Sequence, residues 1–179
     1  KESFLKKQML KHSFIFLPGI GLQREQSLWQ QGITNWDEFI RKTDIPFVSP
    51  FRKKWYDKLL AKAAQKLLQQ DANSFAKRMP QSEHWRLYSS FRNQVVYLDI
   101  ETTGLSKNSL ITLIGLYDGE QMISLLQHAN LHKDHLAKAL SSVKILVTFN
   151  GASFDLPMIE HHYPQVLPSV PHIDLRHLC

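Results

Sequence analysis

The chain has 179 residues, 43% of them hydrophobic and 11% aromatic, so it can bury a core and is not disordered as a whole. Its single cysteine, Cys179, excludes a disulfide framework and a cysteine-based zinc site, and suits a reducing, cytoplasmic compartment. No apolar run approaches the roughly 20 residues of a membrane span, no basic-then-apolar leader is visible, and a start at Lys1 reads as an excised piece. The net charge of +6 averages two unlike halves. Residues 1–93 carry 17 Lys and Arg against 8 Asp and Glu, a net +9, whereas residues 94–179 carry 5 against 8, a net −3. Two units are expected: a basic helical region over 1–90 and an α/β domain over 91–179.

The first half reads as helical. Phe14-Ile15-Phe16-Leu17-Pro18-Gly19-Ile20-Gly21 leads into Glu25–Trp29, and Gly32-Ile33-Thr34-Asn35-Trp36 into Glu38-Phe39. Two short helices joined by glycine turns fit, with Gly32 as a left-handed cap and Thr34 or Asn35 opening the second helix. Ser49-Pro50 is a cap followed by an N1 proline. From Phe51 to about Gln70, the residues Phe51, Trp55, Leu59, Ala63 and Leu67 share one helical stripe, and Lys54, Lys58, Lys62 and Lys66 form a second, basic one. Asp71–Pro80 reads as a looser connection, and Pro80–Arg92 as an aromatic-rich linker or short helix.

The second half changes period. Gln94–Ile100 is a largely apolar run suited to a strand covered on both faces. Leu110–Tyr117 is a second strand, and Asp118-Gly119 a hairpin turn into a third at Met122–Leu126. A helix over about Lys133–Ser141, a strand at Lys144–Phe149, a helix over Ser153–His162 and a short strand at Val170–Leu175 complete a mixed α/β sheet with flanking helices.

Asp99 and Glu101 are two apart, so on a strand they share a face, where their mutual repulsion calls for a positive partner. Mg²⁺ or Mn²⁺, which take hard oxygen ligands, would supply it. Asp155 follows a buried strand and opens a helix, a position where ligands gather in α/β sheets. Taken singly, an Asp-x-Glu is a solvated strand end and Asp155 a helix N-terminal charge; taken together they point to a metal site. His128, His132 and His135 are helix-spaced and His161-His162 adjoin, but surface histidines are ordinary and zinc is the lesser reading.

Asp99-Ile100-Glu101-Thr102-Thr103-Gly104-Leu105 resembles the first motif of the DEDD (DnaQ-like) 3′–5′ exonucleases, which have a ribonuclease-H-like fold. Asn150-Gly151-Ala152-Ser153-Phe154-Asp155 resembles their second motif. Leu113-Ile114-Gly115 and His172-Ile173-Asp174-Leu175 are most similar to the YprB-type branch. The resemblance spans residues 94–179. It implies a metal-dependent 3′–5′ exonuclease acting on single-stranded DNA or RNA with two ions, about 3.5–4 Å apart, clamping the phosphate. Asp99 would bridge them, and Glu101 and Asp155 would complete the shell. Thr102, Thr103 and Gly104 would hold the terminal nucleotide, Leu105 would act as an apolar wedge, and Asn150 would orient the second motif. The family's fourth carboxylate lies on a later helix, a position Asp174 does not match, so the resemblance implies a fragment that lacks that motif and with it one ligand needed for activity.

In the basic half, Pro18-Gly19-Ile20-Gly21 resembles a helix-hairpin-helix element, in which glycine-exposed N–H groups meet a phosphate; a plain glycine turn is the alternative. Gly19, Gly21, Lys54, Lys58, Lys62 and Lys66 are therefore the candidate backbone contacts, although a solvated lysine face fits equally well. Against the enzyme stands a second class of function, a nucleic-acid-binding module using the nuclease fold as a scaffold.

Overall fold

The computed structural model describes residues 9–178, and Cys179 lies outside them. The chain parts into two compact units between Ser90 and Phe91.

The first unit is helical: α1 (Leu22–Gln30), α2 (Trp36–Arg41), α3 (Pro50–Leu68) and α4 (Ala72–Ala76), with 3₁₀ turns at Met9–His12 and Gln81–Leu87 and a short α5 (Tyr88–Phe91) at its boundary. The caps form as the sequence suggests. Gly32 takes φ 74°, and the Ile33 N–H returns to the Leu28 carbonyl at 2.9 Å. The Asn35 side chain accepts the Glu38 N–H at 2.9 Å, and Ser49 caps α3 ahead of Pro50. Two expectations fail. The buried stripe of α3 is Lys53, Tyr56, Leu60 and Ala63, while Phe51 is 86% exposed. Lys53 reaches the interior because Asp57 pairs with it at 2.7 Å and the Phe39 ring lies under its ammonium group, which lets Tyr56 take the core position beside it. The 71–80 connection also holds a short helix: Asp71 caps α4 through the Ser74 N–H. The Ser74 hydroxyl, then Lys66, hold the Asp71 carboxyl down to about 2.

One buried carboxylate organises this unit. Glu25 on α1 accepts the N–H groups of Phe14 (2.6 Å) and Ile15 (3.2 Å) and the Ser13 hydroxyl, and pairs with Arg86 at 2.7 Å. Arg86 also holds Glu83 at 2.6 Å. The network fixes the apolar 14–17 segment, whose Phe14 and Phe16 pack on Phe39, Trp36 and Phe75.

The second unit is a five-stranded sheet, β1 (Val95–Thr102), β2 (Ile111–Tyr117), β3 (Met122–Leu126), β4 (Ile145–Thr148) and β5 (His172–Asp174), in the order β3-β2-β1-β4-β5. The β1–β2 and β2–β3 pairs are antiparallel, whereas β1–β4 and β4–β5 are parallel. Helices α6 (Lys133–Leu140) and α7 (Asp155–His162) supply the parallel crossovers. The Asp118 carboxylate accepts the Glu120 and Gln121 N–H groups, and Gly119 takes φ 101°, which together make the hairpin turn. Leu98 and Ile100 of β1 share a core with Ile114 and Leu116, Leu136 and Leu140 of α6, and Met158 and Ile159 of α7. Strand β1 is not covered on both faces along its length: Asp99 and Glu101 alternate outward past buried Leu98 and Ile100.

Arg86→Ala leaves a fully buried carboxylate without its charge partner and should destabilise the first unit by about 3–5 kcal/mol. All four tryptophans, Trp29, Trp36, Trp55 and Trp85, lie in this unit, so urea unfolding followed by tryptophan emission reads it alone. An unchanged midpoint would show that the network is not what holds the 14–17 segment.

Candidate active site

Asp99 and Glu101 stand exposed on one face of β1, with Ile100 turned into the core between them. Neither has an ion-pair partner among the described residues. In the antiparallel register Asp99 faces Gly115 and Glu101 faces Leu113, and a register shift follows between Glu101 and Thr102. The strand ends there in a tied loop. Thr102 donates its hydroxyl to the Gly104 carbonyl at 2.7 Å, the Thr103 N–H reaches the Leu110 carbonyl, and the Leu110 N–H returns to the Thr103 hydroxyl, both at 3.0 Å. The result lifts Leu105, 87% exposed, into solvent.

Asp155 comes to this site by the parallel pairing of β4 beside β1 and the turn that follows β4. Asn150 takes φ 62°, the left-handed region that Asn tolerates better than most residues, and starts the turn. A Cβ on Gly151 would overlap the side chain of buried Thr148, its Cβ at 2.5 Å, and so the turn admits only glycine there. The Thr148 hydroxyl accepts the Gly151 N–H at 3.1 Å and is bonded to His172 at 2.8 Å. Asp174 at the end of β5 completes the clamp, accepting the N–H groups of Asn150 (2.7 Å), Ala152 (3.0 Å) and Arg176 (3.1 Å). Arg176 in turn donates to the Asn150 side chain at 2.6 Å. Phe154 packs against the core.

So held, Asp155 is 5% exposed and accepts the Ile100 N–H on β1 at 3.1 Å. Burial pushes its carboxyl pKa up; main-chain N–H groups pull against that, and the charges of Asp99 and Asp174 add to the rise. At Asp174 burial also opposes ionisation, but the three N–H donors outweigh it and hold the pKa below the ordinary value. The two carboxylates differ accordingly: Asp174 is satisfied, whereas Asp155 is buried against like charge. Hard oxygen donors that repel one another and lack a protein cation fit Mg²⁺ or Mn²⁺ in kind. Among the described residues, however, no group of three or more His, Cys, Asp or Glu is gathered so as to hold a metal ion. Asp155 is turned to β1, while Asp99 and Glu101 extend from the open face.

The sequence-derived contacts of the basic half separate. Lys54, Lys58 and Lys62 are exposed on α3, but Lys66 is half-buried and pairs with Asp71 at 2.9 Å, so the stripe has three solvent-facing members. Gly19 is left-handed at φ 82°, with Gly21 extended ahead of α1, whose first turn has no side-chain cap. The sequence reading missed Asp174, whose role follows only from the parallel register that brings β5 to the turn.

Gly151→Ala should destabilise the second unit by about 1–3 kcal/mol, read as the loss of thermal stability in circular dichroism, because the overlap is with a packed β4 side chain. A variant as stable as the parent would show that the turn can shift. Asp155→Asn keeps an oxygen acceptor for Ile100 and removes the buried charge. The raised pKa means that the ionised form costs stability, a cost absent below the unfolded pKa and incurred as pH rises through the folded one. In chelator at pH 7.5 the variant should therefore be more stable than the parent, by about 1 kcal/mol, with the gap closing on acidification. A less stable Asp155→Asn at neutral pH would contradict this.

No curated protein matches the chain. No helix among the described residues is long and apolar enough to cross a membrane. Residues 96–179 match the family model described as RNase_H superfamily, a superfamily that suggests nuclease-type activity, and the five-stranded mixed sheet with its flanking helices is an RNase H-like α/β fold.

Proposed function

We propose that this chain contributes to a metal-dependent 3′–5′ exonuclease acting on single-stranded DNA or RNA. The observation that carries the reading is the unpaired set Asp99, Glu101 and Asp155, spread over β1 and the start of α7, in which Asp155 is buried against Asp99. These three residues would hold Mg²⁺ or Mn²⁺, which when bound would activate water and neutralise charge at the phosphodiester. The chain's own residues do the rest. The 102–105 loop, closed by its threonine hydroxyls, offers Leu105 as an apolar wedge to a terminal base. Asn150, anchored by Arg176, opens the turn that sets Asp155. The basic 1–90 region, with Gly19, Gly21 and the α3 lysines Lys54, Lys58 and Lys62, would bind the strand. A single cysteine suits a cytoplasmic setting. The second reading, a binding module on a nuclease scaffold, is favoured by the absence of a gathered three-ligand group among the described residues.

End-labelled single strands incubated with Mn²⁺ and the chain, and with a form continued beyond Cys179, decide between them. Stepwise shortening from the 3′ end is expected, reduced at least about a hundredfold by Asp99→Ala or Glu101→Ala, since loss of even an outer partner of a metal ligand costs 10–100-fold. Strands bound by both forms and shortened by neither would leave the scaffold reading.

A further inference from the structure

The first unit carries a groove of about 1140 Å³ that the carboxylate site does not use. Its floor is apolar, with Ile20 and Met79 among its residues. Trp55 of α3 lines it, is 41% exposed, and is steadied by stacking on buried Tyr56 at 5.4 Å and 25°. Arg24, Lys77 and Arg78 line it as well, all exposed, and none has an ion-pair partner among the described residues. The one carboxylate in the lining, Glu83, is bound by Arg86 at 2.6 Å. Arg24 also reaches the Gly19 carbonyl at 2.6 Å, and the Arg52 guanidinium lies 3.4 Å from where a Gly19 Cβ would stand. The groove thus joins an apolar floor and a fixed aromatic face to a cationic rim whose only acid is already spent.

A ligand that fits must bring flat apolar surface and negative charge at short intervals. A single-stranded nucleic acid does so, with a base and a phosphate in every residue. A duplex hides its bases and would leave Trp55 unmatched, and an acidic peptide would satisfy the rim but not the aromatic face. We propose that this groove binds single-stranded nucleic acid, with bases against Trp55 and the apolar floor and phosphates on Arg24, Lys77 and Arg78. The inference deepens the proposed function by saying how the strand is held, and it takes the class of substrate from that reading.

The test is fluorescence anisotropy of labelled dT and U oligomers with the full chain, in chelator so that nothing is hydrolysed. Trp55→Ala should weaken binding by about five- to a hundredfold, the range for one stacked base. Trp55→Phe should stay within a few-fold of the parent and guards against a folding defect. Joint Lys77→Ala and Arg78→Ala should lower the slope of log K against log salt by about 1.4, two single-strand phosphates' worth. Parent-like binding by Trp55→Ala, or competition by a duplex equal to that of a strand, overturns the proposal. So does full displacement of the strand by an oligoglutamate whose own binding ignores Trp55→Ala. If the variants behave as stated and no strand is ever shortened, the groove stands and the nuclease reading fails; shortening with binding indifferent to Trp55 does the reverse.

Discussion

Three main-chain N–H groups, from Asn150, Ala152 and Arg176, converge on the carboxylate of Asp174, and the rest of the candidate site depends on where this puts the turn after β4. Each is a hydrogen bond to a charged acceptor, worth about 1.5–3 kcal/mol at most in a part-buried setting. With the turn fixed, Gly151 can lie against Thr148, α7 can start at residue 155, and Asp155 can reach the Ile100 N–H on β1. Distant parts of the chain are thereby brought to one side of the sheet.

The two units treat buried carboxylates in opposite ways. Glu25 has two main-chain donors, a hydroxyl and an arginine, so its charge is fully answered and its work is structural. Asp155 has one such bond to β1 and lies under the influence of two further negative charges. Strain left unrelieved by the protein is where an external cation gains most, because binding removes a repulsion as well as forming bonds. The contrast separates a carboxylate answered by the protein's own donors from one left buried against like charge.

Much of this was legible in the residues. Caps and turns rest on local chemistry, and Asn35, Ser49-Pro50, Gly32 and Asp118-Gly119 all stand where their side chains dictate. The mixed character of the sheet was readable, because a hairpin meander makes antiparallel pairs and helical crossovers make parallel ones, whereas the order β3-β2-β1-β4-β5 is seen only in the structure. The α3 face was misjudged because two stripes, one through Phe51 and Trp55 and one through Tyr56 and Leu60, have the same spacing, and only the tertiary pairing of Lys53 with Asp57 selects between them. The α4 helix was missed because five residues are too few for a periodic signal, and it exists through the Asp71 cap. Asp174 could not be foreseen as a clamp, since two of its three partners, Asn150 and Ala152, lie more than twenty residues away along the chain.

The clamp also imposes an order in time. Synthesis proceeds from the N-terminus, and units fold as they emerge. The helical unit has its whole network, from Ser13 to Arg86, before any of the sheet has been made. The sheet has Asp99, Glu101 and Asp155 long before it has residue 174, and until β5 adds alongside β4 the turn that aims Asp155 has no anchor. A nascent chain therefore acquires its basic surface early and its carboxylate arrangement late.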